Sequence, residues 1–380
     1  MRVSTMAQGE QRMSYRADVK WRLLAWTIAA ACSGTAIAAD VVVCRVGSGL
    51  GVRSTAASAV WLERHASDGT LVQSIALPTA VDGSNRRLTL SGTSKLEGSL
   101  VVSSDGNYVT LAGYDAAPGT AAVSASESSK VNRIVARVDA AGNIDTTTRL
   151  DSAFDTASVS GAVTVDGSAF WVSGNGAAGV GGIWYLARGT TGGKQILAIP
   201  NNARTLDIAS GQLFGTTNTA TFTSIFAVGT GLPTAAGQST EPLYGLPMAQ
   251  PYGFVFFDRK ASIGGLDSLY IANENSTAAG GGIQKWTFDG TIWYLVTTFT
   301  EGLGGAGVRG LAAEAQGANI VLYATTVETS ANKLVRVVDD GSPSPAATVI
   351  ATAAANTVYR GVALAWVAPA ADVIFKDAFE

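Results

Sequence analysis

Histidine is nearly missing, with His65 the single one in 380 residues. A multi-histidine metal centre or a His-based triad would have to be centred on it. His65 alternates with Trp61 and Glu63 as on a strand, so a packing or surface role is the better reading. Cysteine is as scarce, with only Cys32 and Cys44. Val41, Val42, Val43 and Val46 surround Cys44, which is expected to act as a small buried hydrophobe. Helical periodicity is almost absent after residue 40. No nucleophile elbow, phosphate loop or repeated aspartate calcium loop occurs. The glycine-rich stretches at 179–182 and 280–282 lack the strand-to-helix context of a nucleotide fingerprint and read as loops.

Long hydrophobic runs are also missing. The longest near the start, Leu23 to Ala31, has nine residues, against about 20 needed to span a bilayer. It follows the basic residues Arg12, Arg16, Lys20 and Arg22 and precedes Ala36-Ile37-Ala38, a small-residue cleavage pattern. Residues 1–38 therefore read as a signal peptide, and Met13 offers an alternative start. The expected location is outside the cytoplasm, secreted or periplasmic, with no membrane span left after cleavage. A lipidated Cys32 is the weaker alternative, since Ala stands where a lipoprotein signal usually carries Leu. The first 38 residues hold five basic and two acidic side chains. The remaining 342 then carry 21 basic against 27 acidic groups, net −6. An acidic chain disfavours a nucleic-acid partner. A chain of this length buries enough core to do without disulfides.

What is abundant is short runs of Val, Ile, Leu, Thr, Tyr and Phe, broken by Gly, Asn, Asp and Ser. Tight turns such as Ser104-Asp105-Gly106-Asn107, Val165-Asp166-Gly167-Ser168 and Phe288-Asp289-Gly290-Thr291 join them. These runs repeat as strand, turn, strand, longer loop, strand, turn, strand over 98–150, 160–199, 203–240, 252–299 and 308–352. Each unit is one four-stranded antiparallel blade. The N-terminal segment supplies only three strands, at 41–46, 59–65 and 71–77. The missing first strand is YRGVALAW (359–366), which resembles VRGLAAEA (308–315) opening the fifth unit. The expected fold is an all-β propeller over 39–367 with six four-stranded blades, closed by pairing N-terminal strands with a C-terminal one. A seventh blade follows if RLTLSG (87–92) begins another.

These units resemble the YVTN/NHL-type propellers of exported bacterial proteins across residues 41–366. That resemblance implies a fold and not an activity. The last residues, 368–380, end in Ala-Phe-Glu and resemble a short Gly-Phe-Glu-ending tail of secreted bacterial proteins. Such a tail is either a sorting signal or a loosely docked end.

Propeller geometry localises a candidate site. Loops from second to third strands, expected at 47–58, 113–129, 174–182, 217–223, 273–282 and 326–332, share one face around the axis. Their charged or amide members are Asp115, Glu274, Asn275 and Glu328. Arg204, Arg309 and Arg360 recur at the start of first strands and point near the axis on that face; Tyr252, in a strand pattern that reads mostly as packing, is counted with them as an axial-face candidate. Such a ring holds an anion or sugar acid, or each arginine pairs with a carboxylate such as Glu328 or Asp115 and fastens blades. Trp171, Trp184, Trp286 and Trp293 read as packing.

The favoured function is a monomeric binding or scaffold protein with no cofactor, whose ligand is a glycan, a peptide or an envelope protein. The alternative is a divalent-metal hydrolase of the lactonase type. Glu97, Asn273 or Asn275, and Asp207 or Asp258 would form its oxygen-ligand ring, and calcium is an ion it would take. A quinone-dependent dehydrogenase needs a histidine base and is weakest.

Overall fold

A computed structural model describes residues 39–366 except 178, 220, 223, 248 and 249. The expected signal peptide, Cys32 and the C-terminal tail lie outside the described residues. Six four-stranded antiparallel sheets form the chain, a β-propeller. The first blade takes Val358–Leu364 as its inner strand, followed by Val41–Val46, Val60–His65 and Leu71–Ala76. The second runs through Val101–Val102, Tyr108–Tyr114, Arg133–Asp139 and Ile144–Leu150. The third holds Val159–Val163, Ala169–Gly174, Gly182–Ala187 and Lys194–Leu197. Leu206–Ala209, Gln212–Thr216, Ile225–Val228 and Thr240–Pro242 make the fourth. The fifth comprises Pro251–Phe257, Ser268–Asn273, Gly282–Phe288 and Trp293–Phe299. The sixth comprises Val308–Gln316, Asn319–Thr326, Lys333–Asp339 and Thr348–Thr352.

The two ends of the chain share one sheet, as the repeat register predicts. Val41 pairs with Leu364, Val43 with Val362 and Val46 with Val358. The inner strand 308–316 packs against 358–364, which in turn packs against 101–102, so the ring closes. RLTLSG does not open a seventh blade. Leu90–Ser91 pairs only with Ala57–Ser58, and Thr89 bridges to Tyr114. Two short strands cannot supply the four that a blade needs, so the segment is a strap across the loop face.

Packing explains the sequence pattern. Second and third strands are covered on both faces by neighbouring blades, so they read as continuous apolar runs such as Ile320–Tyr323, buried throughout. Outer strands keep a wet face, and Leu71–Ala76 alternates exposed and half-buried residues. Six apolar clusters fill the six clefts between blades. Leu62, Leu111 and Val138 join the first to the second; Tyr114, Val172 and Trp184 the second to the third. Trp171, Leu213 and Phe226 fill the next cleft, and Phe214, Phe256 and Trp293 the one after. Tyr270, Leu311 and Leu322 occupy the fifth, and Val43, Val321 and Tyr359 the closing one. Hydroxyls add fasteners across these clefts. Thr110 Oγ1 donates to Ala162 O at 2.7 Å, and Ser173 Oγ donates to Arg204 O at 2.5 Å.

Cys44 is fully buried in the first of these clusters, and burial pushes its thiol up to about 12. His65 is buried too. Its Nδ1 lies 3.0 Å from Gly69 O and its Nε2 lies 3.6 Å from a Glu63 carboxylate oxygen. Both residues are part of the packing of the closing blade.

Candidate functional site

The inner strands surround an axial cavity of about 130 Å³. A repeated irregularity prepares its mouth. In four blades the inner strand carries one extra residue relative to its partner: between Val159 and Gly161, Pro251 and Phe254, Val308 and Leu311, and Tyr359 and Val362. The fourth blade does the same just before its strand. There Arg204 N donates to Thr216 O while Thr216 N donates to Thr205 O, two residues facing one. A bulge re-aims the side chain it carries. The residues so placed include Arg204, Tyr252, Arg309 and Arg360, and all four line the cavity.

The bulge also needs glycine where inner strands crowd together. A Cβ on Gly310 would stand 2.6 Å from Arg360 O and 2.9 Å from Val362 N. Gly253 and Gly361 meet the backbone of the next inner strand as closely. The Tyr-Gly and Arg-Gly pairs at 252–253, 309–310 and 360–361 are thus one device: glycine lets the strands approach, and its neighbour faces the axis.

The arginines are paired, though not with the carboxylates expected. Glu274 serves two of them, at 2.6 Å from Arg309 Nη2 and 3.4 Å from Arg204 Nη1. Tyr252 lies between the same two guanidiniums, with its ring centre 4.4 Å and 4.9 Å from their central carbons. Arg204 also reaches Pro251 O at 3.2 Å and Gln250 Oε1 at 3.3 Å. These contacts are longer than an ordinary bond of about 2.9 Å. The Nε atoms of Arg204 and Arg309 are buried without a hydrogen-bond partner.

Arg360 donates to Ser91 O at 2.7 Å and to Glu97 O at 3.4 Å, and stands 4.0 Å from the Glu97 carboxylate. Glu97 is buried. Its carboxylate accepts from Tyr114 Oη at 2.8 Å, Ser91 N at 2.8 Å and Ser158 Oγ at 3.2 Å. Burial raises its pKa against the opposing pull of Arg360, and burial lowers that of Arg360. Lys95 is exposed and also lines the cavity, which marks this end as the mouth.

Asp207 lies deeper, three residues beyond Arg204 along the same strand, and it too lines the cavity. Its carboxylate accepts a hydrogen bond from Ile208 N at 2.8 Å. Desolvation pushes its pKa up to about 7. The walls between the two levels are apolar, among them Leu206, Phe254, Leu311 and Val362.

Other loop residues singled out by sequence are held away from the axis. Asp115 pairs with Arg87 at 2.7 Å, and Glu328 with Lys333 at 3.1 Å. Asn275 N donates to Asn273 Oδ1 at 3.0 Å. Of the residues considered for a metal ring, Glu97 and Asp207 line the cavity. Asn273 is buried against Asn275, and Asp258 is exposed. Among the described residues, no group of three or more His, Cys, Asp or Glu side chains is gathered for a metal ion. Sequence reasoning missed Gln250 and Lys95, and it weighed Glu97 and Asp207 only as metal ligands. Glu97 immediately precedes Gly98, whose carbonyl accepts from Gly361 N at 2.8 Å; that acid-glycine pair was the available signal.

No family model and no curated protein matches the chain. Among solved structures, it is similar to the β-propeller domain of Myceliophteria thermophila Cps50 (Swd1), at 11% identity over 77% of this chain and 83% of that one, TM-score 0.37. It is also similar to the PQQ-bound aldose sugar dehydrogenase of Streptomyces coelicolor, at 16% identity over 72% and 90% of the two chains, TM-score 0.36. A third is Kuenenia stuttgartiensis hydrazine synthase, at 11% identity over 73% and 75%, TM-score 0.34. Likeness at this level says nothing of activity, and the β-propeller assignment stands on the closed ring of six blades.

Proposed function

We propose that the chain is an exported binding protein whose ligand presents a carboxylate to the arginine-lined mouth of the axial cavity. The observation that carries this reading is the surplus of positive charge there. Arg204, Arg309, Arg360 and Lys95 face Glu274 and Glu97, and Glu274 is divided between two guanidiniums. Guanidiniums suit planar carboxylates, which they bind with two parallel N–H···O bonds. The long contacts on Arg204 leave its guanidinium donors weakly engaged, and a ligand oxygen would satisfy them. A sugar acid and a peptide C-terminus offer the same chemistry. Export rests on the residue pattern of 1–38.

The test is isothermal titration of the full chain with hexanoate, compared with the Arg309→Gln variant. A charge-assisted hydrogen bond contributes about 1.5–3 kcal/mol. The variant should therefore bind hexanoate about tenfold or more weakly. Equal affinity in the two proteins, or no binding to either, would contradict the proposal.

A further inference from the structure

The cavity has two polar ends, and the carboxylate mouth uses only one. Asp207, which lines the cavity, stands at the other, and its carboxylate accepts from the amide of its own neighbour Ile208. Among the described residues nine other carboxylates form ion pairs with lysine, arginine or histidine, and of these Glu97 alone lines this cavity. An enclosed carboxylate without a cation is costly to keep charged, and burial accordingly raises the pKa of Asp207 to about 7. A positively charged group delivered by a ligand would remove that cost.

Asp207 lies three residues along the inner strand from Arg204, one of them taken up by the bulge, so their backbones stand about 7 Å apart at roughly 3.3 Å per residue. Leu206, Phe254, Leu311 and Val362 line the stretch between and offer no polar side chain. The volume of about 130 Å³ is slightly below the roughly 150 Å³ of a cavity that holds benzene. A slender chain of methylenes fits such a space better than a sugar ring.

We propose that the cavity takes a linear ω-amino carboxylate, its carboxylate at Arg204 and Arg309 and its ammonium at Asp207, with an apolar spacer between. This rests on the carboxylate-binding reading of the mouth and adds the second pole. In 6-aminohexanoate six bonds separate the nitrogen from the carboxyl carbon, about 7.6 Å at the backbone's 3.8 Å per three bonds.

The experiment is calorimetric titration of the full chain at pH 8 with hexanoate and with 6-aminohexanoate. The amino acid should bind about tenfold tighter than hexanoate. Asp207→Asn should abolish that advantage, so that the variant binds the two probes equally. The proposal is overturned if the ammonium brings no gain in the native protein or if the gain persists in Asp207→Asn. Hexanoate binding without any ammonium gain would refute the second pole and keep the carboxylate mouth. Absence of binding by every probe would refute both.

Discussion

Removing the inner strand of the closing blade should unfold the whole ring rather than trim one edge. Residues 358–366 supply Val358, Tyr359, Val362 and Trp366, each 8% exposed or less. Trp366 Nε1 also donates to Val138 O at 2.6 Å, in the second blade. Burying one large apolar side chain stabilises by about 1.5–3 kcal/mol, so these four account for roughly 6–12 kcal/mol. Whole domains are stable by only about 5–15 kcal/mol. Loss of the strand also frees the inner edge of Val41–Val46 and strips Arg360 from Glu97. A chain ending at Thr357 should therefore show no cooperative transition by circular dichroism on heating. A control ending at Val367 isolates the strand from the tail and should melt like the full chain. A Thr357 truncation that melts cooperatively within a few degrees of the control would show that the ring does not depend on its closure.

Further outcomes follow from the collar and the cavity. Gly310→Ala places a methyl against Arg360 O and Val362 N, and should cost about 1–3 kcal/mol in urea denaturation. Asp207 has a folded pKa near 7 against an ordinary 3.8, so the folded state holds the extra proton between those values. Stability should then fall as pH rises from about 4 to about 7 and level off above, by a few kcal/mol at most. Asp207→Asn should remove that part of the slope and be the more stable protein at pH 8, read from denaturation midpoints at pH 5 and 8. Glu274→Gln leaves Arg204 and Arg309 without their shared carboxylate. It should lower stability by about 1–3 kcal/mol, a partly exposed pair costing less than a fully buried one. Calorimetry should show tighter hexanoate binding in that variant.

Much of the architecture was legible because blades repeat. The likeness of VRGLAAEA to YRGVALAW assigned the last strand to the first blade, and the pairing of Val43 with Val362 bears it out. The same register put Arg204, Arg309 and Arg360 at matching positions, each at a bulge; Tyr252, whose strand pattern read mostly as packing, stands at the equivalent bulge of the fifth blade. Their partners were not legible. Loop residues such as Asp115 and Glu328 follow the path of their own loops, and local cations Arg87 and Lys333 hold them. Glu274 is also a loop residue, and nothing in its sequence spacing distinguishes it. Glu97 lies in the segment linking two blades, where no repeat exists to compare. RLTLSG had the composition of a blade strand, yet only two of its residues pair as a strand, across the loop face. Strand composition alone does not determine whether a segment is a blade strand or a strap.

The most direct measurement of the central claim is a crystal structure of the full chain grown with hexanoate. The account predicts the carboxylate within about 3 Å of Arg204 and Arg309 guanidinium nitrogens, near the usual N–H···O distance, with the alkyl chain pointing along the axis toward Asp207. An axial cavity holding only water at saturating hexanoate, with both arginines still paired with Glu274, would contradict it.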